Sequence, residues 1–312
     1  METLWKLDNL GKRYVIRSDT GLEEITALEG VNLDVFKGET FGVIGESGSG
    51  KTTLGKAMIR LVEPSSGDVY FRGTKITDLT GKELLKARKN FQIVFQDPFK
   101  SLNPRMTVGG AVAEGIQAGS RQEKRDRVKG LFEMVGISPE RIDEFPHQFS
   151  GGEKQRVSIA RALSTSPAFI VCDEPTSNLD LSIQAKILNL LVELKEKMGL
   201  TYLFISHNLK VVEFIADRIA VMYAGRIVEY GNTEKIIRNP LHPYTKILVE
   251  ASFFKRVDSD RKKEEQVRRG CGFVSFCPHG KEICYNEKPA LQQLEEGHFV
   301  SCFRYRESFS GR

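Results

Sequence analysis

Apolar and polar residues alternate near the start of the chain. Val31, Leu33 and Val35 fall on one side of an extended segment, and Asn32, Asp34 and Phe36 fall on the other. That period of two marks a half-buried strand. Turn residues at Asn9-Leu10-Gly11 and Lys37-Gly38 punctuate residues 1–40, so this region predicts several short antiparallel strands. The pattern then changes. Phe41–Ile44 is an unbroken apolar run, Gly45–Gly50 is a glycine-rich turn, and Thr52 to about Leu61 predicts a helix. Pro64-Ser65-Ser66-Gly67 ends that helix, and a strand follows over Asp68–Gly73. Phe91–Phe95, Phe169–Cys172 and Tyr202–Ser206 are further short apolar runs of the kind found in buried strands. Leu181–Met198 repeats apolar residues at Ile187, Leu188, Leu191, Leu194 and Met198, the spacing of a helix packed on a sheet. Ile219–Val228 reads as a hairpin turning at Ala224-Gly225. Residues 97–149 differ in character: Pro98 and Pro104, scattered glycines, then helical charge patterning from Arg121 to Val135, ended by Pro146. They predict a helical insert. The order strand–glycine turn–helix, strand–acid pair, strand–histidine predicts an α/β fold with a mostly parallel sheet and a site at its carboxyl ends.

The glycine turn carries the sharpest chemistry. Gly45-Glu46-Ser47-Gly48-Ser49-Gly50-Lys51-Thr52 fits the phosphate-loop pattern G-x-x-x-x-G-K-[ST], and Thr53 follows in the first helical turn. Glycines let successive N–H groups face one point, and the helix N-terminus adds positive potential there. Lys51 supplies a point charge, and the Thr52 hydroxyl can ligate Mg²⁺. Asp173-Glu174 closes an apolar strand, where two acids are costly unless they hold a metal or do chemistry. Gln96 and His207 each stand at a strand end. Ser150 is a natural N-cap, and Gly151 and Gly152 leave the start of the next helix open to close approach. Tyr14 reads either as a strand aromatic in a core or as a platform for a nucleotide base.

Composition narrows the setting. The 312 residues suffice for one large α/β domain and an appendage, and 40% hydrophobic with 28% charged residues describe a soluble protein. There is no apolar run of membrane-span length, and the N-terminus does not read as a signal peptide, so the chain is expected in the cytosol and reaches a membrane only through a partner. The net charge of +5 is mild. The basic clusters Arg121–Arg127, Arg261–Lys263 and Arg268-Arg269 are interleaved with acids, which describes a solvated face and not a nucleic-acid site. Cys172 sits in an apolar strand and is expected to be inert. The other four cysteines, Cys271, Cys277, Cys284 and Cys302, crowd the C-terminus after a charged linker. In a reducing compartment that crowding favours metal ligation over disulfides. Spacing alone leaves tetrahedral zinc open.

Taken together, Gly45–Thr52, Gln96, Ser150-Gly151-Gly152-Glu153-Lys154-Gln155, Phe169–Glu174, Ser177-Asn178-Leu179-Asp180 and His207 resemble, in order, the motifs of ABC transporter ATP-binding subunits, over about Leu4 to Gly231. The resemblance implies a phosphate-loop ATPase cassette at residues 1–235, with an antiparallel β subdomain and a helical subdomain at about 97–149. A linker at 236–270 and a small cysteine-rich metal-binding tail at 271–312 would follow. It implies base stacking on Tyr14, phosphate binding by Gly45 to Thr53, and Mg²⁺ held by Thr52, Gln96 and, through water, Asp173. Glu174 would handle the attacking water, and His207 would contact the γ-phosphate. Ser150, Gly151, Gly152 and Asp180 would act across a head-to-tail dimer. Glu153 departs from the usual glutamine, and Asn178 from the frequent alanine. Gln96–Val108 and Asn239–Lys246 are similar to oligopeptide and dipeptide importers, and Leu61–Gly73 to their F-type subunit. That similarity implies a D-type partner cassette, two membrane permease subunits, indirectly a peptide-binding protein, and a place on the cytoplasmic face of the membrane. It also implies a [4Fe–4S] cluster on the four cysteines, with zinc as the alternative. Other readings are an importer of another small solute such as a nickel chelate, a soluble ABC ATPase acting on ribosomes or DNA, and a phosphate-loop kinase outside the family. The signature and D-loop motifs disfavour the kinase.

Overall fold

The computed structural model describes residues 2–18, 21–117, 119–253 and 269–305. The cluster Arg261–Lys263, Arg268, the expected linker's residues 254–268 and the tail from 306 lie outside the described residues.

In chain order, the strands are β1 (Thr3–Ser18), β2 (Gly21–Phe36), β3 (Thr40–Ile44), β4 (Ser66–Phe71), β5 (Thr74–Lys75) and β6 (Phe91–Val94), then β7 (Phe169–Asp173), β8 (Thr201–Ile205), β9 (Arg218–Tyr223), β10 (Arg226–Asn232), β11 (Gln292–Glu295) and β12 (His298–Val300). The helices are α1 (Lys51–Met58), α2 (Gly81–Ala87), α3 (Pro98–Ser101), α4 (Val108–Ala113), α5 (Arg121–Met134) and α6 (Gly151–Leu163), then α7 (Leu181–Met198), α8 (Leu209–Ile215), α9 (Thr233–Arg238), α10 (Pro243–Phe253) and α11 (Glu282–Asn286). The chain forms two compact units, one of residues 1–5, 35–39 and 70–205, the other of 6–34, 40–69 and 206–312.

In the first unit, β6, β7 and β8 run parallel, in register Phe91–Phe169–Thr201 and onward. Every residue of β7 and β8 is buried, as expected of parallel strands covered on both faces. Trp5, fully buried, sets the aromatic core: its ring lies 4.8 Å from Phe71, 5.1 Å from Phe91 and 5.0 Å from Phe169. α7 buries Ile187, Leu188, Leu190, Leu191 and Leu194, with Asp180 capping its start and Gly199 ending it at φ 64°. Residues 97–149 hold α3, α4 and α5, and Arg125 ties α5 to Asp143 by two hydrogen bonds of 2.9 and 2.5 Å.

In the second unit, β3 and β9 are parallel, while β9, β10, β12 and β11 succeed one another antiparallel. Ala224 and Gly225 both take positive φ, 46° and 79°, which gives a two-residue hairpin turn of the type whose twist matches that of its strands. The expectation of several short strands over residues 1–40 is corrected. β1 and β2 each run 16 residues. Asn9-Leu10-Gly11 does not turn the chain. Asn9 adopts φ 48° within β1, and its N–H donates to Asn32 Oδ1 at 2.9 Å. A side-chain bond thus holds the irregular residue inside the strand.

Replacing Trp5 with alanine should cost about 3–5 kcal/mol of stability, the range for emptying a large aromatic site. Denaturant unfolding followed by circular dichroism measures it, since Trp5 is the chain's single tryptophan.

Candidate functional site

The phosphate loop lies in the second unit, between β3 and α1. Its glycines are required by geometry at two points. A Cβ on Gly45, at φ 152°, would sit 2.3 Å from the Met222 carbonyl oxygen, and one on Gly50, at φ 103°, would sit 2.4 Å from Ala27 O. Lys51 is buried, with 6% of its surface exposed, and its Nζ donates to Gly45 O at 2.8 Å and Glu46 O at 2.9 Å. An ammonium removed from water needs such acceptors. Ser49 Oγ is buried with no hydrogen-bond partner among the described residues. A cradle that glycines keep open, a desolvated cation and an orphaned hydroxyl fit a polyanionic ligand. Thr52 and Thr53 stand half-buried in the first turn of α1. Glu46, Ser47 and Gly48 are exposed at the rim. Ser206 N–H donates to Val43 O at 3.1 Å, which sets exposed His207 beside the end of β3, where the loop begins. Tyr14 is half-buried in β1, and Lys12 Nζ sits 4.9 Å from its ring centroid.

The first unit gathers the remaining polar groups. Asp173 is buried at the end of β7. Glu174 follows at φ 47°, an uncommon conformation for a side-chain-bearing residue, fixed by its N–H donating to Ile205 O at 2.9 Å. Gln96 Nε2 donates to Glu174 Oε2 at 2.9 Å, and Ser177 Oγ donates to Glu174 O at 3.2 Å. Gln96, Glu174 and Ser177 thus form one hydrogen-bonded group. Asp180 Oδ1 accepts from Ile183 N–H, so this carboxylate caps α7.

Ser150 caps α6 in a reciprocal box: Glu153 N–H donates to Ser150 Oγ, and Glu153 Oε2 accepts from Ser150 N–H and Oγ, both at 2.8 Å. Arg141 adds a 2.5 Å ion pair to Glu153 and lies over the Phe149 ring at 3.9 Å. These contacts hold the Glu153 carboxyl below its usual range, with the Ser150 N–H the largest cause, then the Ser150 hydroxyl and Arg141. Of the two signature glycines expected to be open, Gly152 needs correction. Gly152 is buried, and its missing side chain makes room for Ile183, whose Cγ2 a Cβ would meet at 2.6 Å.

Cys271, Cys277, Cys284 and Cys302 line one small cavity of about 20 Å³ in the second unit, with His242, Phe273 and His279. Cys271 N–H donates to Cys284 O at 2.7 Å, closing the loop between them. Burial pushes the Cys271 thiol up to about 11, and the three other thiols push it the same way. Neighbouring thiols lose their protons together only when a cation compensates, so the donor set suits a metal centre. Among the described residues, no group of three or more His, Cys, Asp or Glu side chains is arranged to hold a metal ion. The expected metal site on the four cysteines, a [4Fe–4S] cluster with zinc as the alternative, is therefore not shown by these residues, although the four thiols share a cavity. Cys172 is fully buried and its thiol is pushed up strongly by desolvation, in keeping with an inert role. A larger cavity of about 610 Å³ is bounded by Arg13, Glu24, Glu29, Arg226 and Lys288, which already pair with one another.

Sequence reasoning missed Tyr244, whose hydroxyl accepts from Glu46 N–H at 2.9 Å, and Glu229, a fully buried carboxylate that accepts from Leu241 and His242 N–H. The signal was the dense polar-aromatic run Asn239–Lys246, which periodicity does not interpret.

A family model described as "ABC transporter" matches residues 28–177, and one described as "Oligopeptide/dipeptide transporter, C-terminal region" matches residues 228–284. The oligopeptide transport ATP-binding protein AppF of Bacillus subtilis is 41% identical over 322 residues, covering 97% of this chain and 98% of that protein. The oligopeptide transport ATP-binding protein OppF of the same organism is 41% identical over 306 residues, covering 96% of each chain. The dimeric post-hydrolysis structure of the cassette MJ0796 bound to ADP and Pi superposes with a TM-score of 0.65 at 33% identity, over 74% of this chain and 99% of that one.

The depressed Glu153 carboxyl gives a pH prediction. Its contribution to stability is present above the ordinary carboxylate range and is lost as pH falls through the lower folded value. Thermal unfolding from pH 6 to pH 3 should therefore show a steeper acid loss in wild type than in Glu153→Gln. The difference should be on the order of 1–2 °C, because exposed pairs are worth under about 1 kcal/mol.

Proposed function

The chain belongs to the ABC transporter ATP-binding family, on its peptide-importer branch, and from that premise we propose that it hydrolyses ATP to power peptide import through membrane permease subunits. The observation that carries the ATP reading is the phosphate loop with its desolvated Lys51 held on the loop's own carbonyls. Relatives named for oligopeptide transport, alike along nearly their whole length, favour peptide cargo over a nickel chelate and over a soluble ATPase. No helix among the described residues is long and apolar enough to cross a membrane. The chain would work from the cytoplasmic face, docked on two permease subunits, beside a D-type cassette and fed by a peptide-binding protein.

In this reading, Tyr14 stacks on the base, and the amides of Gly45 to Thr53 wrap the phosphates while Lys51 leaves its carbonyls for phosphate oxygens. Thr52, Gln96 and, through water, Asp173 hold Mg²⁺, which when bound neutralises charge on the phosphates. Glu174 orients the attacking water and takes its proton, and His207 contacts the γ-phosphate. Phosphoryl transfer asks mainly for positioning and charge neutralisation. The Gln96–Glu174 hydrogen bond supports a link from the insert at 97–149 to that carboxylate. Ser150, Gly151, Gly152 and Asp180 serve the partner cassette's nucleotide.

The four cysteines would hold a [4Fe–4S] cluster. Such a centre distributes its four thiolates over several irons, whereas zinc draws them to one point. The shared cavity supports the cluster, which would supply a redox-capable crosslink between loops far apart in sequence.

Glu174→Gln should lower ATP turnover by about 10²- to 10⁴-fold, the range for losing a positioned base. Its ATP affinity should stay at the wild-type level, whereas Lys51→Ala should bind ATP poorly in the same titration; wild-type turnover in Glu174→Gln would refute the assignment. Protein purified without oxygen should contain iron and sulfide and absorb broadly in the visible, and Cys277→Ser should lose both; zinc without iron would reverse the choice of metal.

A further inference from the structure

One peptide group in the phosphate loop is held from both sides. Its carbonyl, Gly45 O, accepts from Lys51 Nζ at 2.8 Å, and its N–H, on Glu46, donates to the Tyr244 hydroxyl at 2.9 Å. Tyr244 lies in the first turn of α10 and is fully buried. Its ring meets Tyr223 of β9 edge-on at 4.6 Å and Phe273 at 5.5 Å, and Phe273 meets Tyr223 at 5.3 Å. Tyr244 N–H donates to His242 Nδ1, and His242 N–H donates to Glu229 Oε2 at 2.7 Å. Glu229 Oε1 lies 2.7 Å from His298 Nε2 on β12. The phenol oxygen is therefore placed by β9, β10 and the cysteine-bearing segment together. Phe273 stands two residues from Cys271 and lines the cysteine cavity.

We propose that Tyr244 is a positioning residue for the phosphate loop, and that the Cys271–Phe273 segment sets its position, so that the state of the cysteine segment is read at the loop as ATP affinity. The physical reason is conformational. Gly45, Gly48 and Gly50 all take positive φ, so the loop backbone has wide freedom and binding must otherwise supply its ordering. A fixed Gly45–Glu46 peptide plane removes part of that cost before ATP arrives, and keeps the carbonyl that parks Lys51 aimed inward. Phenylalanine at 244 would preserve the ring packing and remove the hydroxyl that accepts from Glu46 N–H. The inference rests on the reading of the loop as an ATP site.

The test uses the full chain, purified without oxygen. ATP is titrated by calorimetry into wild type, Tyr244→Phe, Phe273→Ala and the double variant, with thermal unfolding measured alongside. Tyr244→Phe should bind ATP up to roughly three- to tenfold more weakly, and its unfolding midpoint should fall by only about 2–4 °C, the scale of one hydrogen bond. In the assembled importer, its KM for ATP should rise while kcat at saturating ATP holds. Phe273→Ala should weaken ATP in the same direction, and the double variant should be no weaker than the sum predicts and measurably short of it, because the two residues act through one contact. Where Phe273→Ala loses its folded circular dichroism, Phe273→Leu replaces it. Unchanged ATP affinity in Tyr244→Phe, with wild type binding normally, overturns the positioning role alone. Full additivity of the two substitutions overturns the coupling to the cysteine segment. Failure of wild type itself to bind ATP overturns the underlying reading.

Discussion

A lysine ammonium taken out of water dictates much of the second unit. Lys51 is nearly enclosed, and the compensation nearest to hand is the pair of carbonyls from Gly45 and Glu46. Those carbonyls face inward only if the backbone bends through conformations that side chains rarely allow. The same bends leave Met222 O and Ala27 O where a Cβ would otherwise stand. Glycine identity, strand packing and charge placement are thus one requirement seen from three sides.

The first unit solves a related problem with acids. Asp173 is buried, and Glu174 stands in a strained conformation just beyond it. The strain is maintained by a backbone hydrogen bond to β8 and by Gln96, which holds the carboxylate from the chain segment that opens the helical insert. A sparsely populated conformation persists only where several contacts over-determine it.

The sequence was readable where local pattern dictates structure. The limits of α7 match Leu181–Met198, the apolar runs from Phe169 and Tyr202 became buried strands, and Ala224-Gly225 made the hairpin turn. Turn chemistry misled at Asn9-Leu10-Gly11, because a side-chain hydrogen bond from distant Asn32 keeps the strand going. Gly152 looked open to close approach, yet Ile183 from another helix fills the space a side chain would take. Tyr244 and Glu229 stayed hidden for the same reason: their partners are 198 and 12 or more residues away, and no periodicity records such contacts. The gathering of the four cysteines round one cavity was legible from their crowding, whereas the sulfur positions within it are not encoded by spacing.

The pairing of β12 on β10 makes the C-terminal segment part of the sheet. Glu229, Tyr230 and Gly231 face Val300, Phe299 and His298 across that seam, and the stacked rings of Tyr230 and Phe299 lie 4.4 Å apart. A chain cut before residue 270 would present β10 as an open edge, with unmet amides and carbonyls and a bare aromatic face. Such an edge recruits strands from neighbouring molecules. The cysteine-bearing segment therefore also guards the sheet against self-association, through the strand that it carries.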